Sequence, residues 1–288
     1  MTVARGYSDP DRVASRAHAL GARAIGISVE GRPIVAIELG AGDRVSLVLA
    51  GIHPIEWIGV EVALALAERI AAAPPVDRRV IVVPVINVDG HAQVGADVAG
   101  GLRRYHRTNR RGVDLNRNFP LGHVTAQRPS PPERWPYRRA GVAPFSEPET
   151  AAIAALVAGV TVDRAVSLHA FGRMILLPWA HRGATSPHHR ELVAHARALA
   201  AGLPGRYRVL HTGRWPLFRP GGLEVDWLTA RGARTMLVEC GRGGLSWRKP
   251  STWIEPFRWY NAEDASAEIA ALAAGLEPFV RGADAPQP

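Results

Sequence analysis

Residues 79–86 constrain the fold more than any other stretch of this chain. Val80, Ile81, Val82, Val83, Val85 and Ile86 are apolar at successive positions rather than alternate ones. A strand of that kind needs cover on both faces, the condition of central strands in α/β sheets. The rest of the chain supplies the cover. Residues 33–39 and 45–50 read as neighbouring strands joined by the turn Gly40-Ala41-Gly42-Asp43. Residues 57–73 read as a helix with Val60, Val62, Leu64, Leu66 and Ile70 apolar, stopped by Pro74-Pro75. Ser146-Glu147-Pro148-Glu149 starts a helix that runs to about Gly159, with serine at the cap and proline in the first turn.

Further along, 163–169, 174–178, 207–211 and 235–239 read as strands, and 187–201, 224–231 and 263–276 as helices. Residues 87–145 read as one long irregular stretch rich in Gly, Pro and Arg, a length that marks functional or disordered loops. The alternation predicts a three-layer α/β/α fold with a mixed, twisted sheet. The gap between 163–169 and 174–178 is too short for a parallel crossover, so strand direction must be mixed. One catalytic-size domain over 1–281 with a loose tail at 282–288 accommodates the pattern.

Composition removes several function classes. Hydrophobic residues make up 47% of the 288 and charged residues 21%, which excludes wholesale disorder. The longest apolar runs fall far short of the roughly 20 residues a bilayer span requires. The first 20 residues carry Arg5, Asp9, Asp11, Arg12 and Arg16, so no signal peptide or membrane anchor is read there. The single cysteine, Cys240, rules out an intrachain disulfide framework and fits a reducing, cytoplasmic setting. A net charge of +9 raises the question of nucleic acid. All basic side chains but Lys249 are arginine, scattered from Arg5 to Arg281. That skew fits a GC-rich coding sequence, and no zinc-finger spacing, aromatic RNA-binding signature or basic helix accompanies it.

Chemistry concentrates at strand ends. His53-Pro54-Ile55-Glu56 follows the strand at 45–50 directly, and an imidazole and a carboxylate three residues apart there can converge on one ion. His169 ends the strand 163–169 in Ser167-Leu168-His169. In an open α/β sheet, ligands gather at strand ends on one side. Two histidines and one glutamate would leave zinc a position for water, whose pKa the ion lowers from about 15.7 to about 7.

In this order the motifs resemble the zinc carboxypeptidases of the M14 type. The resemblance runs through Gly26-Ile27-Ser28-Val29-Glu30-Gly31-Arg32-Pro33, Gly51-Ile52-His53-Pro54-Ile55-Glu56-Trp57, Asn87-Val88-Asp89-Gly90 and Gly112-Val113-Asp114-Leu115-Asn116-Arg117-Asn118-Phe119. It continues with Ser146-Glu147-Pro148-Glu149, Ser167-Leu168-His169 and Thr235-Met236-Leu237-Val238-Glu239, effectively the whole chain. It implies a roughly eight-stranded sheet and one Zn2+ held by His53, Glu56 and His169. It also implies Glu239 as general base, and Asp114 as a carboxylate that orients a ligand histidine. Arg107 matches the arginine that polarises the scissile carbonyl. Asn116 and Arg117 match the pair that grips a substrate's terminal carboxylate, a task that suits the planar guanidinium fork.

Departures from the family pattern bear on specificity. Ile55 stands where many members carry an arginine, and Phe218 where digestive members carry a capping tyrosine. Val225 falls near the position that sets side-chain preference, while Arg173 and Arg219 are cations an acidic group could meet. Cys240 ends an apolar strand and reads as inert filler. No activation segment is read ahead of the motifs. The expected function is zinc-dependent hydrolysis of a peptide bond, releasing the C-terminal residue of a peptide or peptide-like substrate that bears a carboxylate. Cleavage of muropeptides or of N-acyl amino acids is the alternative within the same site. A non-catalytic zinc protein or a nucleic-acid binder is the alternative of another class.

Overall fold

Val80, Ile81, Val82 and Val83 of the apolar run at 79–86 form the body of a central strand and are buried whichever face they point to. A computed structural model describes residues 5–124, 139–214 and 219–285. Helix α1 (Pro10–Ala19) precedes strands β1 (Arg23–Ile27), β2 (Pro33–Ala41) and β3 (Arg44–Ala50). Helix α2 (Trp57–Ala72) leads to β4 (Arg78–Val83), and α3 (Val88–Ala99) and α4 (Pro148–Leu156) lie between β4 and β5 (Val162–His169). There follow β6 (Met174–Leu177), α5 (His189–Gly202), β7 (Arg208–His211), α6 (Glu224–Ala230) and β8 (Arg234–Glu239). Helices α7 (Pro256–Tyr260) and α8 (Ser266–Val280) complete the order.

The eight strands form one mixed sheet in the order β1-β2-β4-β3-β5-β8-β6-β7. Its centre, β4-β3-β5-β8, is parallel, while β2 runs against β4 and β6 against β8. Side chains alternate between two cores. Val48, Ala50, Val82, Val166 and Val238 face the layer that holds α2, α5 and α8. Leu47, Leu49, Ile81, Val83 and Ala165 face Ile153 of α4 and Trp227 and Leu228 of α6. This is the three-layer arrangement the alternation implies, with two-sided burial explaining the unbroken apolar runs.

Two expectations need correction. β2 and β3 are consecutive but not neighbours, because β4 inserts between them, antiparallel to β2 and parallel to β3. The turn at 40–43 therefore straddles the start of β4 instead of closing a hairpin. Gly42, at φ +115°, makes that possible: a Cβ there would lie 2.4 Å from the carbonyl carbon of Asp77. Residues 87–145 are not wholly irregular either, since α3 occupies 88–99, capped by the Asn87 side chain accepting from the Gly90 N–H. The glycines that disguised this helix are there for packing. A Cβ on Gly90 would meet Pro54 at 2.7 Å, and one on Gly95 would meet Pro10 at 2.6 Å.

The pattern alone also left α1, β1 and α7 unassigned. At the other end, Arg164 donates to the carbonyls of Phe279 (3.1 Å) and Ala283 (2.6 Å), which ties down the first residues of the expected tail. Among the described residues no helix is long and apolar enough to cross a membrane.

Candidate metal centre

β3, β5 and β8 are adjacent and parallel, so their carboxyl ends open on one edge of the sheet. Strand order reverses there: α2 carries the chain from β3 to β4 on one side, while β5 lies on the other. Crevices at such switch points are where open α/β sheets bind ligands. His53 follows β3, His169 ends β5, and Glu239 ends β8 directly opposite His169 in register. Glu56 sits at the start of α2. The connection bearing His53 and Glu56 is held from both sides. Trp57 Nε1–H donates to Pro54 O at 3.0 Å, and Asn261, fully buried, donates to Ile55 O at 2.8 Å and accepts from Ile58 N–H at 3.3 Å.

His53 and His169 turn their Nδ1 atoms toward one point, 3.2 Å apart. Glu56 completes the set, with Oε1 2.9 Å from His53 Nδ1 and Oε2 3.0 Å from His169 Nδ1. These three are the group among the described residues that could hold a metal ion, and all three are buried. Ligand atoms on a tetrahedral zinc at roughly 2.0–2.1 Å stand about 3.3 Å from one another, so the separations are those of a shell drawn slightly inward.

The opposite ring nitrogens explain why the lone pairs face in. His53 Nε2 lies 3.0 Å from Asp114 Oδ1, and His169 Nε2 lies 3.1 Å from Glu224 Oε1. Carboxylates accept only, so each Nε2 carries a hydrogen and each Nδ1 is left able to coordinate. Asp114 is itself charge-balanced by Arg107, whose Nε–H donates to Oδ2 at 2.8 Å. Although burial opposes its ionisation, Arg107 and His53 hold the Asp114 carboxyl well below the usual carboxylate range.

The ionisable groups of the pocket hold one another away from their ordinary pKa values. Burial disfavours a charged His169, yet Glu56 and Glu224 lift it to about 10. Burial likewise disfavours ionised Glu56, but the two imidazoles hold it below the usual range. For Glu239 burial wins. Its carboxyl is pushed up to about 7, against the pull of His169 and with Glu56 adding to the rise, and its Oε2 is buried with no hydrogen-bond partner among the described residues. A carboxylate left in that state suits a proton in transit.

The structure brings His53, Glu56, His169, Glu239, Asp114 and Arg107 together. Arg107 also approaches Glu56, Nη1 to Oε1 at 3.9 Å. Asn116 lies in the same cluster but faces inward. Its Nδ2 is 3.3 Å from His169 Nε2, and its Oδ1 accepts from the Glu224 N–H at 3.4 Å. Arg117 donates to the Asn116 carbonyl at 2.5 Å, and burial together with the nearby Arg107 lowers its pKa.

Ile55 is buried, leaving no positive charge at its position. Phe218 lies outside the described residues. Val225 is buried against Ala180, Leu223 and Leu237. Arg173 is engaged by Glu268 at 2.9 and 3.0 Å, and Arg219 lies against Gly183. The Cys240 thiol is raised well above its ordinary value by burial, with the Glu239 charge adding to it, as an inert thiol would be. Sequence reasoning missed Glu224. The available signal was an acid placed between Leu223 and Val225 at the start of a short apolar helix.

The chain is similar to known proteins in sequence and in fold. Residues 12–244 match the zinc carboxypeptidase family. Mast cell carboxypeptidase A of Mus musculus is 25% identical over 256 residues, covering 81% of this chain and 60% of its own length. The chain thus spans less than two thirds of that relative. Among solved structures, carboxypeptidase A from Helicoverpa armigera superposes with a TM-score of 0.71 at 20% identity, covering 96% of this chain and 71% of that one. Murein-tripeptide amidase MpaA from Escherichia coli O157 superposes at 0.57 and 22%, covering 93% of each.

Proposed function

The chain belongs to the zinc carboxypeptidase family, and from that premise we propose that it hydrolyses a peptide bond, releasing the C-terminal residue of a peptide or peptide-like substrate. The observation that carries this reading is the convergence of His53 Nδ1, His169 Nδ1 and the Glu56 carboxylate, with both Nε2 atoms held by buried carboxylates. Those three residues would hold the zinc. When bound, the ion polarises the scissile carbonyl and acidifies the attacking water.

The chain's own residues supply the rest. Glu239 takes the proton from the attacking water and delivers it to the leaving amine, a role worth roughly 10²–10⁴-fold in rate. It ends β8 opposite His169 in register, half-buried, with its Oε2 atom out of solvent. Arg107, anchored by Asp114 and near Glu56, supplies positive charge to stabilise the developing oxyanion. Arg117 binds the substrate carboxylate, and Asn116, its side chain turned inward, supports it through the carbonyl that accepts from the guanidinium. Phe218 stands in the sequence where digestive members of the family carry a capping tyrosine, and a phenylalanine in that role has no hydroxyl to donate. A reducing, cytoplasmic setting suits a chain with one cysteine.

Two measurements test the reading. Glu239→Gln is expected to bind zinc stoichiometrically while hydrolysis falls by several orders of magnitude; undiminished turnover removes Glu239 from the chemistry. The wild-type protein, assayed with and without chelator on peptides, muropeptides and N-acyl amino acids, is expected to release C-terminal residues only when metal is present. Turnover confined to muropeptides or acyl amino acids would keep the chemistry and change the substrate.

A further inference from the structure

We propose that Glu224 is the positioning residue for His169, fixing the tautomer that leaves Nδ1 free to coordinate and making zinc affinity depend on the start of α6. The inference rests on the zinc reading above and goes beyond the family motifs, none of which includes position 224.

Glu224 is fully buried, and its Oε1 serves two side chains of the same strand: His169 Nε2 at 3.1 Å and the Ser167 hydroxyl, which donates at 2.5 Å. Residues 167 and 169 lie two apart on β5 and so point to the same face. A single carboxylate oxygen thus pins both. The other oxygen, Oε2, is buried with no hydrogen-bond partner among the described residues. Burying a carboxylate this completely is costly, so the fold gains little stability from it.

What the carboxylate does is decide a competition. Two groups stand within reach of His169 Nε2: the acceptor Glu224 at 3.1 Å and the Asn116 Nδ2 amide at 3.3 Å. If the amide donated, Nε2 would be the lone-pair nitrogen and the hydrogen would move to Nδ1, aimed at Glu56 and His53. Three donors could then no longer meet one ion. The carboxylate wins because it can only accept and carries full charge. Asp114 does the same for His53 from a different loop. Each imidazole is therefore set by its own buried acid, one before α4 and one on α6.

The test is zinc affinity, read by chelator competition on the full chain, with the visible spectrum of the cobalt-substituted protein alongside. Glu224→Gln is expected to weaken zinc binding by roughly 10–100-fold and to shift the cobalt spectrum. Adding Asn116→Leu to that variant removes the competing donor and is expected to restore part of the affinity. Thr229→Ala, which disturbs α6 through the Val225 and Thr235 contacts without touching the carboxylate, is expected to leave zinc affinity unchanged. A folded Glu224→Gln with wild-type affinity and cobalt spectrum overturns the proposal. Should that variant not fold, Ser167→Ala gives the answer: weaker zinc binding supports the role, and unchanged binding overturns it. Failure of the wild-type chain to bind zinc would instead overturn the metal-centre reading itself.

Discussion

Asp114→Asn probes the site most sharply, because one side chain holds up two functional groups. Asp114 is fully buried and accepts from His53 Nε2 (3.0 Å), Arg107 Nε (2.8 Å) and the Asn116 N–H (3.1 Å). Asparagine keeps the shape but offers one accepting oxygen in place of two. It can serve His53 or Arg107, and its amide hydrogens then face the donor left over. Arg107 is nearly as buried, so its charge would lose its closest counter-ion in a poorly solvated place. Breaking a buried pair from one side costs about 3–5 kcal/mol. For a chain of this size that corresponds to a fall of roughly 10 °C in Tm. Zinc affinity should drop independently, by roughly 10–100-fold, because His53 loses its orienting acceptor.

The two effects separate in a double-mutant cycle. Stability is measured by urea unfolding in excess chelator, so that bound metal adds nothing, and zinc affinity is measured by competition. Asp114→Asn with Arg107→Leu should regain most of the lost stability, since no stranded cation remains, while zinc binding stays weak. If the double variant is no more stable than Asp114→Asn alone, the stranded-arginine explanation is wrong. If zinc affinity is untouched in either, the orienting role assigned to Asp114 fails.

Two further outcomes follow from positions outside the site. His91 packs on Trp57 at 4.8 Å between ring centroids, and burial lowers its pKa to about 4. Its unfolded value lies near 6.5, so the unfolded chain binds the extra proton first; the stability it contributes is complete above about pH 6.5 and is lost as pH falls toward 4, by up to about 3 kcal/mol. Urea midpoints at pH 7.5 and 4.5 should therefore differ less in His91→Leu than in the wild type, and equal differences would count against it. Gly42→Ala should destabilise far more than Gly31→Ala. Both glycines have positive φ, which costs an alanine about 1–2 kcal/mol. A Cβ on Gly31 meets nothing within 4 Å, whereas one on Gly42 meets Asp77 at 2.4 Å. Equal losses would refute the straddling turn.

Local chemistry was legible because its signal is local. The strand at 79–86 announced two-sided burial through consecutive apolar residues. His53 and Glu56 stood three apart after a strand, and Glu239 closed one. What could not be read depends on where distant segments return. Whether β4 docks beside β2 or leaves β2 next to β3 is settled by the path of α2 over the sheet, which no window of residues encodes. α3 was hidden because its glycines answer to Pro54 and Pro10, residues far away in the chain.

Residue types and their order thus determined the layers of the fold and the chemical identity of the donors. Only the tertiary structure decided which nitrogen of each imidazole faces Glu56. That choice belongs to Asp114, 61 residues from His53, and Glu224, 55 residues from His169. A histidine's tautomer is set by whatever the other side of its ring touches, and contacts of that kind exist only once the chain has closed around them.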